Sequence, residues 1–195
     1  MKTSYKNLHS PHLAMAKKYW EEHLTPADLA IDATCGNGHD TLFLSNLLPL
    51  GAVFAFDIQQ QAIRNTEALL GKRASHVFLH HRSHAEWDEV VFPKRPRLIV
   101  YNLGYLPKGD KQITTQTETT LKSIRSGLNL LEMGGAMSIT CYPGHEEGTR
   151  EEDAIQQFLA TLPSQHWVVC HHQFVNKTNA PSLFWILKIE TDSNG

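Results

Sequence analysis

The feature that most constrains this chain is a hydrophobic pattern whose period switches repeatedly between that of a strand and that of a helix. Apolar runs at 27–33, 53–56, 77–79, 98–103 and 136–141 read as strands. Segments with helical spacing follow them at 40–48, 60–70, 83–89, 114–131 and 147–162, the piece at 83–89 being short. Strands joined through helices of this length imply right-handed crossovers onto a parallel sheet with helices on both faces. The two last strands, 166–171 and 183–189, have no helix between them, and their short connection contains Pro181, so they pair antiparallel. The pattern therefore predicts an α/β, three-layer, Rossmann-like fold with a mainly parallel sheet and an antiparallel C-terminal strand pair. With no internal repeat or linker, residues 1–195 read as a single domain, in which 1–24 form an N-terminal helical cap.

Composition narrows the class further. A chain of 195 residues with 41% hydrophobic side chains can fill one full-sized core, which excludes a disulfide-stapled scaffold and a strongly disordered chain. No run approaches the about 18 apolar residues of a membrane span, and Met1 to His12 has no signal-peptide core, so a cytoplasmic protein without membrane association is expected. Cys35, Cys141 and Cys170 are odd in number and lie in no CxxC pair; the twelve histidines form no HExxH or Cys/His finger. No metal site is expected. Eighteen basic against 20 acidic side chains give no global field for nucleic acid. The segment 94–125 is locally basic, with Lys94, Arg95, Arg97, Lys108, Lys111, Lys122 and Arg125 against Asp110 and Glu118. Ordinary solvation of loops and a helix accounts for these letters, and an RNA-facing surface is the alternative.

The sharpest local signal is the run Asp32-Ala33-Thr34-Cys35-Gly36-Asn37-Gly38-His39-Asp40 at a strand-to-helix junction. Gly36 and Gly38 permit a tight turn and close backbone approach, and the helix beyond offers free N–H groups to a polar ligand. Asp57 ends the second strand, 21 residues after Gly36, where a carboxylate accepts from the vicinal hydroxyls of a ribose. The third glycine of GxGxxG is missing and no GxxxxGK[ST] loop exists, which argues against triphosphate hydrolysis. Asp32 suits the cationic amine of an amino acid and opposes a pyrophosphate. S-adenosylmethionine, with a ribose for Asp57 and an amino-acid end for the Asp32 loop, fits better than NAD or FAD. Cys35 sits near a helix start, but loop packing is the expected use of its thiol.

Asn102-Leu103-Gly104-Tyr105-Leu106-Pro107 follows the fourth strand on the same sheet edge. Asn102 offers an acceptor and donors, Gly104 lets the backbone approach a substrate, and Tyr105 can stack on a planar base. Thr114 or Thr115 is expected to cap the next helix. His84, beside Ser83, is placed to edge an adenosine pocket or accept a proton. His9 and His12 precede the first helix, where Lys17 and Lys18 also lie. His145, in the run Tyr142-Pro143-Gly144-His145-Glu146-Glu147-Gly148, is read as helping to position a nucleophile.

The Asp32 to Asp40 loop, the run Phe54-Ala55-Phe56-Asp57-Ile58-Gln59, the Asn102 to Pro107 loop and the Tyr142 to Gly148 run together resemble the small bacterial class I S-adenosylmethionine-dependent methyltransferases first labelled rRNA methylases. The resemblance spans nearly the whole chain. It implies a seven-stranded sheet and methylation of tRNA wobble 5-aminomethyl-2-thiouridine to its methylaminomethyl form. It also implies a cofactor-binding set of Asp32, Thr34, Cys35, Gly36, Asn37, Gly38, Asp40, Asp57, Ile58, Gln59, Ser83, His84 and Asn102. Asn102 would orient the target amine, Tyr105 would contact the base, and His84 or His145 would take the proton. Cys35 departs from the small residue common at its position in that family. A tRNA substrate is the expected partner, and a homodimer stays open. Methylation of rRNA or a small molecule, a nicotinamide-dependent oxidoreductase and a non-catalytic RNA-binding protein are the rival readings.

Overall fold

The computed structural model describes residues 10–71, 75–87, 90–107 and 113–189. In chain order these form α1 (Pro11–His23), β1 (Leu29–Asp32), α2 (His39–Leu47), β2 (Ala52–Asp57), α3 (Gln60–Leu70), β3 (Val77–His81), β4 (Leu98–Asn102), α4 (Thr117–Leu130), β5 (Ala136–Cys141), α5 (Glu146–Leu159), β6 (Trp167–His172) and β7 (Ser182–Lys188). One sheet of order β3-β2-β1-β4-β5-β7-β6 contains all seven strands. The first five are parallel, and β7 runs antiparallel to both β5 and β6, as the missing crossover requires.

The sheet is apolar on both faces because helices cover both. Every residue of β1 and β5 is buried. Their alternating side chains sort into two layers. Ile31, Phe54, Phe56, Ile99 and Tyr101 pack with Ile124 and Leu128 of α4 and Ile155 and Leu159 of α5. Ala30, Val53, Leu98 and Val100 pack on the opposite side with Ala16 and Trp20 of α1 and Leu44 of α2. Strand order reverses between β1 and β4, where Asp32 stands level with Val100. A ligand crevice opens at such a switch point, beyond the carboxyl ends of the strands.

Several local expectations give way to tertiary contacts. Ser83–Trp87 is a turn rather than the start of a helix, with Ala85 N–H donating to Ser83 Oγ and Glu86 N–H to the Ser83 carbonyl; Asp88 and Glu89 lie outside the described residues. The helix expected from 114 begins at Thr117, because Thr114 pairs across to Tyr105 in an isolated antiparallel bridge. Gln116 occupies its cap position without a side-chain cap bond, so neither Thr114 nor Thr115 caps α4. His12 does not precede the first helix but lies within its first turn, since Pro11 starts it. His9 and the rest of the expected cap up to residue 9 lie outside the described residues.

The basic residues before β4 have structural work at the end of the sheet away from the crevice. Arg95 Nη1 donates to the Asn129 carbonyl (2.7 Å), and Lys188 Nζ to that of Leu131 (2.9 Å), at the C-terminal end of α4 where the helix leaves acceptors unpaired. Arg97 pairs with Glu132, Lys94 donates to the Ala27 carbonyl, and Arg125 lies over the Phe158 ring. Lys108, Asp110 and Lys111 lie outside the described residues. Lys94, Arg95 and Arg97 thus have partners within the fold, where plain solvation was expected of them. Replacing Arg95 by Ala is expected to lower stability by about 0.3–1 kcal/mol, read by urea unfolding, while leaving cofactor affinity unchanged.

Candidate active site

The loop after β1 is built around a buried acid. Asp32, 1% exposed, accepts from Thr34 N–H through Oδ1 (3.2 Å) and from Thr41 Oγ1 through Oδ2 (2.6 Å), tying the strand end to both the loop and α2. Burial, reinforced by the neighbouring Asp40, pushes its pKa up to about 7. Between these anchors Gly36 and Gly38 take φ of 53° and 82°, the left-handed region natural to glycine. A Cβ at Gly38 would lie 2.8 Å from Thr66 Cα, so α3 itself closes against the turn.

Asp57 joins this loop to the end of β2. Its Oδ2 accepts from Gly36 N–H (3.0 Å) and its Oδ1 from Gln59 N–H (2.8 Å), which leaves each oxygen a further lone pair for a ligand. Burial raises its pKa, against the pull of those backbone donors.

A cleft of about 910 Å³ lies over the carboxyl ends of the strands. Of the residues expected at a site, Thr34, Cys35, Gly36, Asn37, Asp40, Asp57, Ile58, Gln59, Ser83, His84, Asn102, Tyr105 and His145 all line it. Asp32 and Gly38 do not: the first is turned into the loop's own hydrogen bonds, and the second donates its N–H to the Cys35 carbonyl (2.8 Å). Asp32 is buried away from the cleft lining and shapes the cleft from beneath. Cys35 is buried beside Thr66 Oγ1, and burial pushes its thiol well up, as suits packing and not a nucleophile.

Asn102 is fixed from both ends. Its N–H donates to Thr34 Oγ1 (2.7 Å), and its side-chain Nδ2 to Asp40 Oδ2 (3.2 Å), while Asp40 Oδ1 meets Lys17 Nζ of α1 at 3.0 Å. The loop beyond it is clamped onto α5: Thr115 Oγ1 accepts from Gly104 N–H (2.9 Å) and donates to Glu151 (2.8 Å), and Glu147 accepts from Thr117 N–H (2.9 Å). Tyr105, 40% exposed, stands in this clamped loop with its ring 5.9 Å from that of His145.

Neither expected histidine is set up as a proton acceptor. Burial lowers the pKa of His84 to about 4, so its conjugate acid would not hold a proton near neutrality. His145 caps α5, its Nδ1 accepting from Gly148 N–H (3.1 Å), so that in the neutral ring Nε2 carries the hydrogen and is a donor. Sequence reasoning assigned no role to Tyr142, and missed Asn179 and Pro181, which the β6–β7 connection brings to the cleft. The one available signal for the latter was the Asn-Ala-Pro run; Asn179 takes φ 53°, a conformation asparagine tolerates better than most residues. Among the described residues no group of three or more His, Cys, Asp or Glu side chains gathers to hold a metal.

The strand order, the glycine turn and the ribose-ready acid at a switch-point cleft define a class I S-adenosylmethionine-dependent methyltransferase. The chain belongs to the family described as "Putative rRNA methylase", whose model matches residues 53–188. It is 36% identical over 188 residues to a protein of Arabidopsis thaliana named "tRNA (mnm(5)s(2)U34)-methyltransferase, chloroplastic", covering 90% of this chain and 69% of that relative. It is also similar to the crystal structure of a putative rRNA-methylase from Clostridium thermocellum, with 35% identity, a TM-score of 0.88 and coverage of 91% and 97% of the two chains. A putative methyltransferase from Streptococcus mutans, solved with SAH, shares 36% identity at a TM-score of 0.84, over 91% of this chain and 98% of that one. The cofactor is S-adenosylmethionine, and the Asp57 oxygens and glycine-turn backbone fit its ribose and amino-acid ends.

The buried acid predicts a pH effect. A carboxyl whose folded pKa is near 7 and whose ordinary value is 3.8 binds more protons folded than unfolded, so its contribution to stability falls as pH rises from about 4 through 7. Asp32→Asn removes that ionisation. Compared with the variant, the parent should lose stability over this window in urea unfolding series; parallel curves from pH 4 to 8 would contradict the assignment.

Proposed function

We propose that this chain methylates the primary amine of 5-aminomethyl-(2-thio)uridine at the wobble position of tRNA, giving 5-methylaminomethyl-2-thiouridine. Likeness over 90% of the chain to a named tRNA (mnm(5)s(2)U34)-methyltransferase carries this reading. The Asn102–Asp40 pair in the cleft supports it chemically. With Nδ2 committed to Asp40, the Asn102 Oδ1 is left to accept from a substrate N–H, and the second lone pairs of Asp40 add acceptors beside it.

S-adenosylmethionine, when bound, supplies an activated methyl group, so the protein's work is placement and exclusion of water. Asp57 holds the ribose and the Thr34–Asn37 backbone the methionine end. Asp32 acts through that loop, and Ile58, Gln59, Ser83 and His84 border the adenosine. Asn102 orients the amine for in-line attack, while Tyr105 offers a stacking face to a flipped-out base. Leu103, Leu106 and Ile113 give the cleft an apolar side that sheds water. The same domain recognises the tRNA.

The test is tritiated methyl transfer from S-adenosylmethionine to tRNA from cells lacking the gene, followed by nucleoside mass spectrometry. Label in 5-methylaminomethyl-2-thiouridine is the expected result. Label absent from tRNA and present in rRNA would establish the rival that the family description favours. Asn102→Ala should reduce the transfer rate by about 10²-fold with cofactor affinity kept. Asp57→Ala should weaken cofactor binding, measured by calorimetry; unchanged affinity would remove the ribose role.

A further inference from the structure

Two groups at the cleft have no part in the scheme above. Tyr142, on the segment after β5, lines the cleft, and His12 comes from α1, 130 residues earlier in the chain. His12 Nε2 lies 3.3 Å from the Tyr142 hydroxyl, with the two rings edge-on at 85°. The Asn102 side chain also acts on this hydroxyl, lowering its pKa against the burial that raises it. His12 is only 7% exposed and does not itself line the cleft. Polar groups thus lead from the cleft beside Asn102, through the Tyr142 hydroxyl, to an imidazole on the first helix.

A primary amine reaches such a site mainly as ammonium, whose nitrogen has no lone pair to attack with. His84 and His145, as described, are poorly arranged to relieve it. We propose that Tyr142 and His12 form a proton relay that neutralises the substrate amine before methyl transfer. The inference rests on the amine substrate proposed above. An N–H bond of the ammonium breaks as an O–H bond forms at Tyr142, while the tyrosine's original proton passes to His12 Nε2. The freed lone pair forms the new N–C bond, the methyl carbon's bond to sulfur breaks with its electrons left on sulfur, and the product leaves as a secondary ammonium.

The surroundings suit each step. Burial lowers the His12 pKa from 6.5, though less far than it lowers that of His84, so its ring is neutral at pH 7 and takes the proton only in passing. Burial and the nearby Asp40 charge push the Tyr142 pKa up to about 12, so the tyrosine hands on a proton by exchange and does not stand as a phenolate. The charged groups facing the pair are Asp40 on α2 and its partner Lys17 on α1; the Cys141 thiol adjoins Tyr142 and is kept protonated by burial. The Lys17 ammonium and the desolvated cleft both favour a neutral amine.

The experiment compares parent, Tyr142→Phe and His12→Gln in single-turnover methylation of aminomethyl-bearing tRNA from pH 6.5 to 9.5, with cofactor affinity measured by calorimetry. Glutamine can still accept the tyrosine's hydrogen bond but cannot store its proton. Both variants should bind cofactor as the parent does and lose about 10²-fold in rate at pH 7. The loss should close as pH rises, because substrate that arrives neutral needs no acceptor. Parent-like rates at pH 7, or a loss equal at every pH, would overturn the relay alone. A parent that transfers no methyl group to this tRNA would overturn the relay and the proposed function together.

Discussion

The carboxyl of Asp32 is the knot from which the cleft hangs. Its two oxygens fix Thr34 and Thr41, and Thr34 Oγ1 in turn receives the N–H of Asn102 from the neighbouring strand. Asn102 reaches Asp40, and Asp40 reaches Lys17. A buried acid with a pKa near 7 is a destabilising choice for a core unless its hydrogen bonds organise something. Here they set the relative positions of three chain segments that are far apart in sequence and share one small volume. The glycine turn does not act independently: Asp57 reaches across to Gly36, so moving either loop would displace the other.

The first helix belongs to this arrangement as fully as the strands do. Trp20 and Ala16 bury it against the sheet, and the same helix face lowers Lys17 and His12 towards the cleft. On the other side, Glu147 and Glu151, one helical turn apart on α5, hold Thr115, Thr117 and Thr120. Asn102 and Gly104 are therefore tied towards α1 through Asp40 and Lys17 and towards α5 through Thr115, and Tyr105 follows directly after them.

What the sequence disclosed and what it withheld divide along physical lines. Period and turn chemistry are local, and they located all seven strands, α3 to the residue and the glycine turn with Asp57 beyond it. The doubly wound class makes carboxyl-end loops converge, so most of the residues that line the cleft were also legible. Long-range competition for hydrogen bonds was not. Thr114 reads as a cap until Tyr105 claims its backbone, and Arg95 reads as a free cation until three carbonyls at the end of α4 claim it. Spacing placed Asp32 at the loop but did not report that its oxygens accept from Thr34 and Thr41. Spacing placed His84 at the cleft but did not report its burial.

Charge gives the cleft a further logic. On the amine substrate proposed above, a sulfonium donor and an ammonium acceptor are both cations, and in-line transfer requires them within about 3–3.5 Å. Two unit charges 4 Å apart repel by about 4 kcal/mol at an effective dielectric of 20. Asp57 and Asp40 supply negative charge to the wall, but Lys17 offsets the one beside Asn102. A site meant to retain a cationic amine would leave that carboxylate unpaired. Pairing it makes the position next to Asn102 polar without being strongly anionic, which favours an amine that has already lost its proton. The nucleophile needs that loss for its lone pair, and the encounter needs it to remove a repulsion, so one proton transfer satisfies both demands.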